Sequence, residues 1–185
     1  MLLSYNQLVQ LVASGVVRNL DSSQIKSSSI DLRLGRTIQR EIRPEPGAPI
    51  PWIDIASGQP LPMRVTTYKD GEYFFLAPGE FILAHTMEEF HLPRNISADF
   101  KLRSSRARQG VNHALAGWCD AGWNNAVLTM EIKNSSRYYH QRYRVGDCIG
   151  QVVLFQHEEV PEHASYEITG RYNGDKSVSG AKPNQ

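Results

Sequence analysis

The run KLRSSRARQGVNHALAGWCDAGWNNAVLTME, residues Lys101 to Glu131, carries the densest chemistry of the chain. Four cations fall in its first eight residues (Lys101, Arg103, Arg106, Arg108), wrapped around the hydroxyl pair Ser104-Ser105. A small-residue loop follows, Ala116-Gly117-Trp118-Cys119-Asp120-Ala121-Gly122, and then a run with the two-residue period of a strand. In that strand Leu128, Met130 and Ile132 share one face, and Val127, Thr129 and Glu131 share the other. Guanidinium forks and hydroxyls match the oxygens of a polyphosphate in geometry and charge. A carboxylate on an otherwise apolar strand suits a general base, because burial raises its basicity. The two features lie close in sequence and point to a nucleotide site with its chemistry at the base end.

Outward from this run, strand signals recur at short intervals. Ser29 to Gly35 alternates apolar and polar residues, the pattern of a half-buried strand. YFFLAPGEFILAH, from Tyr73, breaks at Pro78-Gly79, a turn between two apolar runs. His91-Leu92-Pro93 closes a segment, Ala98 to Leu102 opens the next, and Arg142 to Phe155 contains a Gly146-Asp147 turn. Ser4 is placed to cap one short amphipathic helix through Leu8, Leu11 and Val12, with Gly15 to end it. Val16 to Ser27 reads as polar connection. Between Pro44 and Pro62 lie six prolines and two glycines, with Trp52, Ile53 and Ile55 as apolar anchors; this is a long excursion with a short strand inside it. The predicted class is mostly β, a jelly-roll or barrel with a short N-terminal helix.

The totals narrow the function. A chain of 185 residues is most simply one domain, 1–185. The formal net charge is +1, so the basic cluster is local; it favours a small anionic ligand and argues against nucleic acid or a membrane surface. Two cysteines, Cys119 and Cys148, without a CxxC pair fit a reducing cytosol and speak against a structural zinc site or a disulfide scaffold. The start, MLLSYNQLVQL, lacks a charged n-region and a long apolar core, and no apolar run approaches a bilayer span; the expectation is a soluble cytoplasmic protein. From Gly170 the tail loses its apolar content after Tyr172, so it is expected to be disordered unless something pins it.

Each candidate has a plain counterpart. The Arg103 to Arg108 cluster reads equally as a solvated face, although adjacent serines and the following Gly110 favour a ligand. Glu131 reads as a catalytic base or as a surface residue of an edge strand. Asp120 reads as a turn-former, and His113 as an acid–base group or as a structural histidine. The zinc deaminase signature, HxE with PCxxC, is absent, as are a P-loop and a GxGxxG after a strand. Chemistry on a base would then need a side chain to activate water.

Seven segments in order resemble the dCTP deaminases, within the trimeric dCTP deaminase/dUTPase superfamily. They are SSSIDLRLG (Ser27 to Gly35), FFLAPGEFILAHTME (Phe74 to Glu88), HLP (His91 to Pro93), RSSRARQG (Arg103 to Gly110), AGWCDAGW (Ala116 to Trp123), LTMEIKN (Leu128 to Asn134) and GRYNG (Gly170 to Gly174). The resemblance implies zinc-independent hydrolysis of dCTP to dUTP and ammonia on a distorted jelly-roll of the dUTPase type. It implies Glu131 as the general base, Arg108 as its supporting cation and the Ala116 carbonyl orienting water or ammonia. Arg103, Ser104 and Ser105 match the triphosphate grip with Mg²⁺ carried by the nucleotide, and Asp120 and Trp123 the sugar and its wall. Tyr166, Arg171 and Tyr172 match a tail that folds over the nucleotide, with 170–185 as a mobile lid, and the sites lie between the subunits of a homotrimer.

The chain departs from that pattern at Arg106 and Gln109, where leucine is usual, and at Leu115, where threonine is common. Asp175 stands where many members have glutamine, a carboxylate that needs Mg²⁺ or Lys176 beside a triphosphate. The loop from Gly110 to Asp120 is one residue short and Asp120 to Glu131 one long, while the Arg108 to Glu131 spacing is kept. Three other readings stay open: a bifunctional deaminase/dUTPase giving dUMP and pyrophosphate, a dUTPase, and a silent nucleotide-binding homologue.

Overall fold

The computed structural model describes residues 1–182. Its first element is the helix α1, Tyr5–Ala13. The backbone N–H of Ser4 donates to Gln7 Oε1 at 3.0 Å, and Gly15, at φ +83°, follows the last turn, so both ends fall where the sequence places them. Twelve strands follow: β1 Val17–Arg18, β2 Ile30–Arg33, β3 Thr37–Glu41, β4 Met63–Thr67, β5 Tyr73–Leu76, β6 Phe81–His91, β7 Ile96–Leu102, β8 Val111–His113, β9 Trp118–Cys119, β10 Asn124–Asn134, β11 Gln141–Arg144 and β12 Cys148–Gln156. One short helix interrupts them, α2 Ser104–Arg108, and another, α3 Tyr166–Thr169, follows the last strand. The chain is mostly β, as read from the sequence.

The strands form three sheets. One runs β4-β3-β6-β10-β8, with β1 also on β6; a second runs β2-β12-β7-β9; β5 and β11 pair as a ribbon. Inward-facing Ile38, Ile82, Ala84, Met130 and Ile132 of the first sheet share one core with Ile30, Leu32, Ala98, Phe100, Val152 and Leu154 of the second. None of the orders closes on itself among the described residues, so the architecture is a sandwich of open sheets and not a closed barrel.

The two glycine turns are where sheets change. The Ala77 to Glu80 turn, with Gly79 at φ +79°, separates β5 from β6, which pair with different partners. Gly146, at φ +91°, does the same between β11 and β12. Neither turn closes a hairpin, because each flanking strand pairs with a strand more distant in sequence.

Two local readings are corrected. Strand β2 is more buried than a half-buried strand: of its two polar residues Arg33 is partly exposed, while Asp31 is 7% exposed and pairs with Arg103 at 3.3 Å and Lys26 at 3.5 Å. The proline-rich excursion holds no strand between β3 and β4, and Trp52 is 94% exposed instead of anchoring it. Alternating prolines remove the backbone donors a ladder needs. No described helix is long and apolar enough to cross a membrane.

Candidate active site

The outer face of the first sheet is roofed. Phe81 and Leu83 on β6 and Thr129 and Glu131 on β10 face a cavity of about 630 Å³, with Glu131 in register opposite Leu83. One wall comes from the excursion (Ile53, Ile55, Leu61) and Met63 of β4. The other comes from the tail, at Tyr172, Asp175 and 179–181, and from Ala116 to Trp123. Strand β10 breaks register with β6 between Asn124 and Ala126 and between Val127 and Thr129, the kind of irregularity that re-aims side chains beside a site.

The loop that carries Ala116 and Asp120 is held by two glycines. A Cβ on Gly117 would stand 2.6 Å from the Phe100 carbonyl, because the Phe100 N–H donates to the Gly117 carbonyl at 2.8 Å. Gly122 takes φ +87° and lies against Ser165, which no side chain there would permit. Between them Asp120 accepts from the Trp118 indole N–H at 2.8 Å, so its carboxylate is partnered by a side chain rather than by its own turn. Trp123 is buried against Phe90, with centroids 5.2 Å apart, and its indole N–H donates to the Tyr172 carbonyl at 3.2 Å.

The tail is pinned. The N–H of Val127 donates to the Asp175 carbonyl at 2.8 Å, the N–H of Ser179 to Thr129 Oγ1 at 3.2 Å, and Gln39 Nε2 to the Val178 carbonyl at 3.2 Å. Lys176 reaches Glu89 at 2.6 Å and holds that carboxyl below its usual range. The partner of Asp175 is therefore Lys182, at 2.9 and 3.0 Å, and not the neighbouring Lys176. Lys182 also lies 4.8 Å above the Tyr172 ring and donates to the Arg171 carbonyl at 2.7 Å. Burial pushes the Tyr166 phenol up.

Glu131 is one quarter exposed at its side chain. Its Oε2 stands 3.2 Å from His113 Nε2, an ion-pair distance, but the two are not aligned as a hydrogen bond and neither atom has another partner among the described residues. Of the residues named from sequence, Ala116, Asp120, Trp123, Glu131, Tyr166 and Tyr172 meet in the one cavity. Arg103, Ser104, Ser105, Arg108 and Arg171 do not line it. Ser104, Ser105 and Arg108 are exposed on α2, Arg103 pairs with Asp31, and Arg171 donates to the Lys182 carbonyl at 3.1 Å. Arg106 turns elsewhere, donating to the Cys148 carbonyl at 3.2 Å.

Sequence reasoning missed the excursion wall, the contact from His113 to Glu131, and Lys182. A signal for the first was present: Phe81 and Leu83 are apolar on the face opposite Ile82 and Ala84, so β6 needs cover on both sides.

Fold and site together define a class: a mostly β protein with a roofed cavity on the outer face of one sheet, built around a carboxylate. The chain belongs to the dCTP deaminase-like family, whose model matches residues 2–157. It is 36% identical over 163 residues to a dCTP deaminase, dUMP-forming, of Hydrogenobaculum sp. (strain Y04AAS1), covering 87% of this chain and 85% of that one. It is 36% identical over 181 residues to the protein of the same name in Thermobifida fusca (strain YX), covering 95% and 89%. In fold it is similar to the crystal structure of 2'-deoxycytidine 5'-triphosphate deaminase from Agrobacterium tumefaciens, with a TM-score of 0.63 at 23% identity, over 84% of this chain and 48% of that one.

Proposed function

We propose that this chain hydrolyses dCTP and two waters to dUMP, ammonia and pyrophosphate. The sequence-based expectation stopped at dUTP; the relatives named as dUMP-forming favour the bifunctional alternative. The observation that supports the reading most directly is Glu131, set among apolar walls in the same cavity as Asp120, Trp123, Tyr166 and Tyr172. In this reading Glu131 takes a proton from water as its oxygen bonds to C4 of cytosine. Protons then pass to N3 and to the amine, the C4–N bond breaks and ammonia leaves. In the second hydrolysis water attacks the α-phosphorus and pyrophosphate departs. Asp120 is the carboxylate left for that step, since Asp175 is neutralised by Lys182. Mg²⁺ enters as part of the substrate, carried by the triphosphate, and the chemistry at C4 is assigned to side chains without zinc.

The residues that read as a phosphate grip, Arg103, Ser104 and Ser105, lie at the start of α2 with Arg108 at its end, outside the cavity of their own chain. Arg103, Ser104, Ser105 and Arg108 are then presented to the site of a second copy, which makes the working form a homotrimer. Arg171, Tyr172 and the described rest of the tail, 170–182, serve as a lid on a single domain; the last residues of the expected 170–185 lid lie outside the described residues. Two free cysteines suit a cytoplasmic setting. The test is incubation with dCTP and Mg²⁺ while ammonia, dUTP, dUMP and pyrophosphate are resolved together. Ammonia with dUMP and pyrophosphate is expected. Ammonia with dUTP alone would remove the second step, and neither product would leave a silent binder.

A further inference from the structure

His113 is used neither by the core nor by the reading above. It closes β8 in register with Ile132, the residue after Glu131, and is 6% exposed. Its ring lies on Phe100, with centroids 4.6 Å apart and planes tilted 49°. A buried histidine kept for packing has its ring nitrogens satisfied by neighbours, as buried His85 does, and the more exposed His91 and His157 are bonded as well. His85 reaches the Thr86 carbonyl through Nδ1 at 2.8 Å and accepts the Thr37 N–H on Nε2 at 3.2 Å. His91 is bonded to Asn124 and Glu89, and His157 to Ser97 and the Glu158 carbonyl. His113 instead leaves Nε2 without a hydrogen bond, 3.2 Å from a carboxylate oxygen that also lacks one.

The approach comes from behind. His113 does not line the cavity that holds Glu131; it lines a separate one of about 440 Å³ with Asp99, Phe100, Lys101 and Ala107. The histidine–glutamate pair is thus part of the wall between the two cavities, and only its carboxylate end faces the site. We propose that His113 is a positioning residue for Glu131. A small rotation brings Nε2–H onto Oε2, which fixes the carboxylate and leaves Oε1 to face water. This rests on the reading of Glu131 as the base.

Three variants separate the inference from a packing role. Glutamine carries its amide nitrogen the same number of bonds from Cα as histidine Nε2, whereas asparagine places it nearer, where Nδ1 was. With dCTP and Mg²⁺, His113→Leu and His113→Asn are expected to lower kcat for ammonia release about 10- to 100-fold, with KM changed less than about threefold. His113→Gln is expected to hold kcat within about threefold of the parent. Equal losses in the Gln and Asn variants, or full kcat in the Leu variant, would overturn the inference. If the Leu variant does not fold, the Gln and Asn pair, compared at matched Tm, decides. Glu131→Gln run alongside keeps the two readings apart. Ammonia release by that variant removes Glu131 as the base; its silence, with all three His113 variants at full kcat, removes the positioning role alone.

Discussion

Two glutamates on neighbouring strands show opposite solutions to the same problem. Glu88 on β6 is fully buried and fully satisfied: Oε1 accepts from Gln24 Nε2 at 2.8 Å and Arg33 Nε at 2.7 Å, and Oε2 from the Arg33 backbone N–H at 2.9 Å. Glu131 on β10 is partly exposed inside a cavity, and its Oε2 faces a misaligned histidine. A buried carboxylate held by three donors is fixed in place and holds structure together. One with fewer donors, on the wall of a cavity, is open to a ligand. The difference in partners, more than the difference in burial, separates the structural acid from the reactive one.

That contrast breaks most clearly at Glu131. Glu131→Gln keeps the shape and removes the base, so deamination should fall about 10²- to 10⁴-fold while Tm and nucleotide binding stay near the parent values. Ammonia release measured at saturating dCTP checks it. The mirror substitution, Glu88→Gln, should do the reverse. It leaves the Arg33 guanidinium facing an amide, which costs about 2–4 kcal/mol of stability, below the top of the range for buried pairs because Arg33 is itself 30% exposed. Activity per folded molecule should persist; urea unfolding beside kinetics on the native fraction tests both halves. A Glu88 variant that loses kcat at unchanged stability would erase the distinction.

Smaller effects are expected where the tail closes the cavity. Lys182→Ala removes the partner of Asp175, a half-exposed pair whose loss should cost under about 1 kcal/mol but should loosen 171–182, seen as faster proteolysis there. Acid should act on the same element. The Lys176 pairing lowers the Glu89 carboxyl from its ordinary 4.5, so its contribution is complete above pH 4.5 and is lost as pH falls through the lowered value. Amide protection at 174–179, corrected for the intrinsic pH dependence of exchange, should therefore fall below pH 4.5 and stay flat between pH 5 and 7. A loss of protection centred near neutrality would rule out Glu89 as the group responsible.

Much of the site was legible. Local rules placed the helix ends at Ser4 and Gly15, and the alternation in Val127 to Ile132 separated Met130 and Ile132, at 0% exposure, from Glu131. Six of the residues named from sequence do meet in one cavity. What failed to read were features without a local cause. Trp52 looked like an anchor because large apolar residues usually are, yet alternating prolines keep its segment out of any sheet. Composition left open whether anything pins the tail, because its ties are a backbone bond to Val127 and a side-chain bond from Gln39, which composition does not encode.

The sequence by itself determined the mostly β class, the strand faces, the glycines at 117 and 122, and the family, because those follow from side-chain period, turn stereochemistry and motif order. Tertiary structure alone decided what covers the outer face of β10, that β5 pairs with β11 and not with β6 across its own glycine turn, that Lys182 rather than Lys176 neutralises Asp175, and that α2 lies outside the lining of its own cavity. Each of these joins residues that no local period links, so their pairing depends on which long-range contacts bury the most apolar surface and leave the fewest polar groups alone.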